Sequence, residues 1–290
     1  MSTVLVTGAT GLLGSSLVPY LKENGYNVKT HGFSCNADFM LDLSDEAKAT
    51  NMLDHLEPDF IINLVSMTSV EDCEDQINLA YLTNTKSVQN IANWLKNSNK
   101  RCHLIHISTD HVYDGDGINL NSENDIKITN NYAFSKYAGE LVLSDNPCTI
   151  LRTNFVGKSM VNHRESLTDW VFDNSKSKTN VNVLTDVYFN PLSIKHLCEM
   201  LNLVIKRKPM GCFNLGSHNG MSKADFDIAF ADTLGLSTKN MKKISISEAT
   251  FFKACRPKDM RMDISKFERE LDIKLPSLTD IIKEVAGEYE

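Results

Sequence analysis

A tyrosine and a lysine four residues apart are the first pair in the sequence suited to acid–base chemistry. Tyr132 and Lys136 lie in the segment Tyr-Ala-Phe-Ser-Lys, and residues at this spacing share one face of a helix. A phenol has a pKa of about 10, but a neighbouring ammonium group favours the phenolate and lowers that pKa. The pair could therefore give a proton to a carbonyl oxygen. Taken alone, this spacing more often belongs to a solvated helix face. The surrounding sequence therefore decides between a catalytic pair and a solvated face.

One segment upstream favours the catalytic interpretation. Ser108-Thr109-Asp110 follows a buried strand predicted over 103–107, and the carboxyl ends of parallel strands face the ligand in open α/β sheets. The hydroxyl of Thr109 could donate a hydrogen bond to the same carbonyl oxygen that Tyr132 would protonate.

A glycine-rich segment at the N-terminus adds a site for phosphate. Val4–Val6 is typical of a buried parallel strand, Gly8, Gly11 and Gly14 follow it, and apolar residues then recur at helical spacing. A strand, a glycine turn and a helix in this order present backbone N–H groups and the helix dipole to an anion. The segment predicts a dinucleotide site, although an ordinary strand–helix turn could also use glycine for its geometry.

The predicted elements alternate between strands and helices, which is typical of a doubly wound parallel sheet of the Rossmann type. After the first helix, strands are predicted at 27–31, 39–41 and 60–64, with helices at 45–56, capped by Ser44, and at about 79–97. Residues 1–155 are predicted to form the dinucleotide-binding domain, with returning segments from the C-terminal half. Residues 156–290 are predicted to form mainly a smaller lobe, in which Ser222 caps a helix with an apolar face.

The bulk composition narrows the class of protein. The chain has 290 residues with 42% hydrophobic and 23% charged residues, so a core of ordinary size is available. Its net charge of −7 argues against a nucleic-acid surface. Glycines interrupt the apolar N-terminal residues, so neither a signal peptide nor a membrane span is expected. The seven cysteines, at 35, 73, 102, 148, 198, 212 and 255, form no C-x-x-C pair and predict reduced, mostly buried thiols in a cytoplasmic protein.

Five motifs in order along the chain resemble the dTDP-4-dehydrorhamnose reductase family, in the extended branch of the short-chain dehydrogenase/reductase superfamily. They are Ser-Thr-Asp-His-Val-Tyr-Asp-Gly at 108–115, Tyr-Ala-Phe-Ser-Lys-Tyr-Ala-Gly-Glu at 132–140, Leu-Arg-Thr-Asn-Phe-Val-Gly at 151–157, Gly-Cys-Phe-Asn-Leu-Gly at 211–216 and Arg-Pro-Lys-Asp-Met-Arg-Met-Asp at 256–263. The resemblance covers essentially the whole chain. It implies an NADPH- or NADH-dependent enzyme that reduces C4 of a 4-keto-6-deoxy nucleotide sugar, of the dTDP- or UDP-4-dehydrorhamnose type.

The resemblance also implies roles for individual residues. Tyr132 would be the proton donor, Lys136 its partner and a ribose ligand, and Thr109 the hydrogen-bond donor to the carbonyl. The residues implied for cofactor binding are Gly8, Thr10, Gly11, Leu12, Leu13, Gly14, Gly32, Asp42, Leu43, Leu64, Val65, Ser66, Tyr132 and Lys136. Those implied for the substrate are Thr68, Val70, Thr109, Asp110 and Phe155, joined by Arg256 and Arg261 because a planar guanidinium suits two phosphate oxygens. Either arginine could equally be an ordinary surface residue.

Several positions depart from the family pattern. The second strand ends in His31-Gly32-Phe33-Ser34, without the carboxylate that would bind a ribose 2′-hydroxyl, which favours NADPH. Asp42 either meets the adenine or turns the chain before the next helix. Some bacterial members hold a dimer-bridging magnesium ion with a glutamate where this chain has Ser15-Ser16, so no metal is expected. Whether the chain forms a homodimer is left open. Family members commonly carry an aromatic residue such as Trp at the position of Phe155, and a Tyr at the position of His111.

The sequence leaves three alternative functions open. The 4,6-dehydratases of the same superfamily carry a Thr-Asp-Glu motif where this chain has Thr109-Asp110-His111. Because the glutamate is missing, the dehydratase function ranks low. A bifunctional 3,5-epimerase/4-reductase of UDP-rhamnose synthesis uses a Cys-Glu pair, which Cys73-Glu74 matches loosely, although a buried structural cysteine is the commoner case. The regulatory β subunit of methionine adenosyltransferase is similar to this family and binds dinucleotide without catalysis.

Overall fold

A computed structural model describes residues 1–33, 36–98, 100–162 and 164–290. Its strands are β1 (Thr3–Thr7), β2 (Asn27–Gly32), β3 (Phe39–Met40), β4 (Phe60–Asn63), β5 (His103–Thr109), β6 (Cys148–Thr153), β7 (Phe155–Val156), β8 (Val181–Leu184), β9 (Tyr188–Phe189), β10 (Leu192–Ser193), β11 (Gly211–Leu215), β12 (Met221–Ser222) and β13 (Met241–Ile244). Its α-helices are α1 (Leu12–Glu23), α2 (Glu46–Leu56), α3 (Val70–Asp75), α4 (Ile77–Tyr81), α5 (Ser87–Asn97), α6 (Asn131–Leu141), α7 (Leu167–Ser177), α8 (Ile194–Arg207), α9 (Lys223–Thr233), α10 (Ser265–Leu271) and α11 (Leu278–Ala286).

The central element is a sheet of seven strands within the described residues, in the order β11-β6-β5-β4-β1-β2-β3. The ladders that join β3, β2, β1, β4 and β5 are parallel, which confirms the predicted doubly wound Rossmann-type sheet. From β1 the chain builds outward to β2 and β3 on one side, and then returns to add β4 and β5 on the other. The switch point therefore lies between β1 and β4, where such folds bind their ligands.

The first compact unit comprises residues 1–109, 130–151 and 198–212. One face of its sheet presents Leu5, Ile61 and Leu104, which pack in a common core with residues of α2 and α5. These strands are buried on both faces, as continuous β-branched and leucine runs predict. Trp94 of α5 also donates a hydrogen bond from Nε1 to Asp54 of α2 at 2.8 Å, which fixes the two helices against each other.

The second compact unit comprises residues 110–129, 152–197 and 213–290. Short strand pairs join β7 to β10, β9 to β12 and β8 to β13, and an aromatic cluster of Phe189, Phe226 and Phe230 forms part of its core. The two units are nearly equal in length, because 110–129 joins the second unit while much of α8 joins the first. A domain boundary at residue 155 stays a prediction.

Two local predictions differ from the structure, and a third agrees with it. The cap of α2 is Asp45, whose carboxylate accepts a hydrogen bond from the Lys48 N–H at 3.2 Å, so Ser44 as the cap was wrong. The helix predicted at about 79–97 begins at Ile77 and contains a π-helical segment, Leu82–Lys86, between α4 and α5. Ser222 does cap α9, accepting from the Asp225 N–H. In the described part of the chain, no helix is both long and apolar enough to span a membrane.

Candidate active site

The helix that carries Tyr132 and Lys136 is α6, so the two side chains share one helix face as predicted. It begins at a cap formed by Asn130, whose side chain accepts from the Ala133 N–H at 2.8 Å. A Cβ on Gly139 would lie 2.6 Å from the carbonyl oxygen of Asn84, so only glycine permits this approach of α6 to the π-helical segment. The helix is therefore fixed at its start and along its length.

Lys136 is 2% exposed and donates a hydrogen bond from Nζ to the Ile107 carbonyl of β5 at 2.7 Å. Burial lowers the pKa of its ammonium group to about 8, although the charge of Glu140 opposes that shift. Glu140 itself accepts a hydrogen bond from the Ser108 hydroxyl at 2.5 Å. The ammonium is thus anchored two residues before Thr109, the last residue of β5, and it remains largely charged at neutral pH.

The glycine loop lies at the switch point of the sheet. Gly8 has a φ of +67°, and a Cβ there would lie 3.0 Å from the Leu64 carbonyl carbon and the Val65 nitrogen. A Cβ on Gly14 would lie 2.4 Å from the carbonyl oxygen of Ala9. Gly11 is the cap of α1 and makes no side-chain hydrogen bond to it. The first N–H groups of α1 are accordingly positioned to bind a phosphate, which is the arrangement a dinucleotide requires.

Three polar side chains at or near the ends of adjacent strands lie beside this loop. The Thr7 hydroxyl donates to Asn63 Oδ1 at 2.6 Å, and Asn63 Nδ2 lies 3.0 Å from His106 Nδ1. Burial holds the pKa of His106 well below its usual range, so the imidazole is neutral. These residues are in register across β1, β4 and β5, and polar residues at or near the ends of three predicted buried strands were the signal for them.

Asn84, in the π-helical segment, joins the loop after β4 to α6. Its Oδ1 accepts from the Met67 N–H at 2.7 Å, and its Nδ2 donates to the Ser135 hydroxyl at 2.9 Å. The sequence analysis missed this residue, because its partners are 17 and 51 positions away. Of the two substrate candidates nearby, Thr68 is exposed on the loop and Val70 is buried as the first residue of α3.

The predicted adenine and ribose positions lie after β2 and β3. Gly32 ends β2, and Asp42 accepts a hydrogen bond from the Ser44 N–H at 2.8 Å, so its carboxylate forms a turn before α2. The Leu43 side chain is buried in the core, which leaves only its backbone for a cofactor. Ser34 and Cys35 fall outside the described residues. Of the other cysteines, Cys73, Cys102, Cys148 and Cys198 are buried, Cys212 is partly buried and Cys255 is exposed.

Cys73 and Glu74 have structural partners. The Cys73 thiol donates to the Met67 carbonyl at 3.6 Å, and burial raises its pKa to about 11. Glu74 accepts hydrogen bonds from the backbone N–H and the side-chain amide of Asn131, at 2.8 Å and 2.7 Å. Glu74 therefore supports the start of α6, and the Cys73 thiol is protonated at neutral pH.

The remaining substrate candidates lie in the second unit. Asp110 is buried and accepts from Asn154 Nδ2 at 2.8 Å, and Phe155 lies in β7, partly exposed. The Arg256 guanidinium lies 4.5 Å from the centre of the Phe252 ring. Arg261 instead forms a bidentate ion pair with the buried Asp259, at 2.8 Å and 2.6 Å, so it does not suit the diphosphate. Within the described ranges, no three His, Cys, Asp or Glu side chains are grouped to hold a metal ion.

The sheet and its glycine loop place the chain in the class of Rossmann-type α/β proteins. More particularly, it belongs to the RmlD substrate-binding domain family, which it matches over residues 1–290. It is 30% identical over 242 residues to the spore coat polysaccharide biosynthesis protein SpsK of Bacillus subtilis, covering 82% of this chain and 81% of that protein. It is 28% identical over 290 residues to dTDP-4-dehydrorhamnose reductase of Salmonella typhimurium, covering 94% and 93%.

Two further comparisons bear on the alternatives. The chain is 26% identical over 277 residues to methionine adenosyltransferase 2 subunit beta of Xenopus laevis, covering 91% of this chain and 81% of that one. A crystal structure of dTDP-4-dehydrorhamnose reductase from Bacillus anthracis in complex with NADP superposes with a TM-score of 0.87, covering 98% of each chain at 23% identity. At this identity the superposition establishes the shared fold.

Proposed function

We propose that this protein is an NAD(P)H-dependent reductase that converts the C4 carbonyl of a 4-keto-6-deoxy nucleotide sugar to an alcohol. The observation that carries the proposal is the buried Lys136 ammonium. It shares one face of α6 with Tyr132, and it donates a hydrogen bond to the carbonyl of Ile107, two residues before Thr109. Such an ammonium stabilises a phenolate and so makes the phenol a usable acid. The sequence identity of the chain to dTDP-4-dehydrorhamnose reductase of Salmonella typhimurium and to the polysaccharide biosynthesis protein SpsK supports the proposed substrate class.

The glycine loop fits a dinucleotide. Close packing at Gly8 and Gly14 leaves room for no side chain, and the start of α1 has no competing side-chain cap. The N–H groups of residues 10–14 would hold the diphosphate, Lys136 would bind the nicotinamide ribose, and Leu64, Val65 and Ser66 would line the site after β4. When bound, the reduced nicotinamide supplies the hydride.

The chain's own residues would stabilise the negative charge that develops during the reaction. As C4 gains a hydride, negative charge develops on O4, and Thr109 would stabilise that oxygen through a hydrogen bond while Tyr132 donates its proton to it. Lys136 would stabilise the resulting phenolate until solvent returns the proton. Asp110, Phe155 and Arg256 are proposed to bind the sugar nucleotide.

A single assay tests the proposal: NADPH consumption with purified 4-keto-6-deoxy sugars carried on dTDP and on UDP, followed by identification of the sugar product. Turnover with either substrate is the expected result. Titration of both cofactors by intrinsic fluorescence should give NADPH an affinity at least equal to that of NADH, because Gly32 is not followed by a carboxylate. An NADH affinity more than tenfold tighter contradicts that preference.

A regulatory, non-catalytic role is the second candidate, favoured by the similarity to the methionine adenosyltransferase subunit. It predicts cofactor binding without turnover of any keto sugar. The epimerase/reductase alternative loses support, because Cys73 is buried and its thiol pKa is about 11, so it is poorly suited to abstract a proton.

A further inference from the structure

Two adjoining cavities lie at the edge of the central sheet where its parallel strands begin, opposite the edge that carries the glycine loop. Their volumes are ≈ 470 and ≈ 380 Å³, within the range of about 300–1,000 Å³ that is usual for small-molecule sites. They share three lining residues, Asp59, Arg101 and Lys208, and every residue that lines either cavity belongs to the first compact unit. None of the functions assigned above uses these cavities.

Positive charge dominates the walls of both cavities. Their charged lining residues are four cations and one carboxylate, namely Lys100, Arg101, Lys206, Lys208 and Asp59. Asp59 already accepts a hydrogen bond from the Thr3 N–H at 2.7 Å and lies 3.5 Å from the Lys100 ammonium. Within the described ranges of the chain, neither Arg101 nor Lys206 has an ion-pair partner. On a chain whose net charge is −7, such a local excess of positive charge attracts anions.

The helix dipole accounts for only part of this charge. Lys206 lies in the last turn of α8, where a cation offsets the partial negative charge of the helix carbonyls. Arg101 precedes β5, and Lys208 follows α8 in a left-handed conformation with a φ of +51°. The Lys208 ammonium lies 4.8 Å from the centre of the Phe60 ring, at the start of β4. Arg101 and Lys208 therefore supply positive charge that no helix end requires.

We infer that the two cavities form a second anion site, which binds the phosphate chain of a di- or triphosphate between Arg101 and Lys208. A guanidinium can donate to two oxygens of one phosphate group, and an ammonium attracts the next group as a point charge. Because both residues line both cavities, a chain of two or three phosphates suits the site better than a single phosphate does. The site lies at the opposite edge of the sheet from the glycine loop, so its ligand does not displace the dinucleotide. The inference is independent of the proposed reductase function.

Calorimetric titration of the full-length protein with inorganic triphosphate tests the site, with NADP at saturation so that the glycine loop is occupied. Inorganic phosphate should bind at least tenfold more weakly than triphosphate, because a single group cannot engage both cations. ATP carries the same chain on a nucleoside and should bind within about threefold of triphosphate. Equal affinities for phosphate and triphosphate, or an ATP affinity more than tenfold tighter than that of triphosphate, overturn recognition of the phosphate chain.

Two variants locate the binding. Arg101→Gln and Lys208→Gln should each weaken triphosphate binding at least tenfold, since each removes one charge-assisted contact. Both side chains are exposed, so the variants should fold. Lys22→Gln is the matched control, because it changes an exposed cation in the last turn of α1, outside both cavities. Its affinity should stay within about twofold of the wild-type value.

His103 gives a local readout that does not depend on affinity. It lines the first cavity, and its burial and the charge of Lys208 lower its pKa to about 4. Because a bound triphosphate offsets the charge of Lys208, the NMR signals of the His103 ring should shift during the titration of the wild type and not in Arg101→Gln. Binding that leaves these signals unchanged, or that Arg101→Gln and Lys208→Gln do not weaken, places the anion elsewhere and overturns the inference.

Discussion

Glu74 of α3 accepts two hydrogen bonds from Asn131, the first residue of the helix that carries Tyr132 and Lys136. One bond comes from a backbone N–H that has no partner inside the helix. The carboxylate also places negative charge at the positive end of the helix dipole. Glu74 therefore fixes where α6 begins, although it lies 57 residues away in sequence.

Glu74→Gln should lower the free energy of unfolding by about 1–2 kcal/mol, because a charge-assisted hydrogen bond and a favourable dipole interaction are lost. Turnover should fall by a smaller factor than in any Tyr132 variant, since the chemistry itself is untouched. Chemical denaturation and steady-state kinetics measure the two effects. Glu23→Gln, an exposed position on α1, is the control for loss of one charge, and equal destabilisation of both variants would contradict the proposed support.

Tyr132→Phe tests the proton donor. The ring and its packing remain, so NADPH affinity should change little, while turnover should fall by about 10²–10⁴ because a general acid is lost. Thr109→Val should cost less, since it removes a hydrogen bond and no proton. If Tyr132→Phe reduces the sugar within threefold of the wild-type rate, the catalytic assignment is wrong and the regulatory role gains support.

Lys136→Met should weaken both turnover and NADPH affinity, because one ammonium group is proposed to serve the phenol and the ribose. This double effect separates Lys136 from Tyr132, whose variant keeps cofactor affinity. Stopped-flow reduction and fluorescence titration of NADPH give the two quantities. A variant that loses turnover with unchanged NADPH affinity would remove the ribose role while leaving the acid–base role in place.

Much of the fold could be predicted from sequence because its signals are local. Buried strands, the glycine loop and the i, i+4 spacing of Tyr132 and Lys136 each occupy a few consecutive residues. The support of the site could not be predicted, since Asn84 and Glu74 act through side-chain hydrogen bonds to segments that are distant in sequence. Asp227 was missed for another reason. The helix α9 packs against α7, α11 and β8, so more of its surface is buried than the single apolar face that the sequence predicts, and Asp227 is buried as well.

Cys73→Ser distinguishes the plain reductase from an epimerase. The thiol pKa of about 11 and its hydrogen bond to the Met67 carbonyl indicate a structural role. The variant should therefore keep turnover within about threefold, and neither it nor the wild type should incorporate solvent deuterium at C3 or C5 of the sugar. Mass spectrometry of the product measures this incorporation. Deuterium uptake that disappears in Cys73→Ser would restore the epimerase alternative.

Asp227→Asn should stabilise the free protein, and increasingly so as the pH rises. The pKa of the Asp227 carboxyl is raised to about 7 from 3.8, so the folded state binds its proton more tightly than the unfolded state. The stability contributed by the protonated carboxyl is complete below pH 3.8 and is lost progressively as the pH rises through 7. Between pH 5 and pH 8, the wild type should lose about 2–3 kcal/mol relative to Asp227→Asn.

Urea unfolding of both proteins at each pH, without ligand, measures this difference, and subtracting the two curves cancels the titration of groups that they share. Asp232→Asn, which changes an exposed carboxylate on the same helix, serves as the control and should track the wild type at every pH. A difference between wild type and variant that does not change with pH would show that Asp227 ionises normally in the fold.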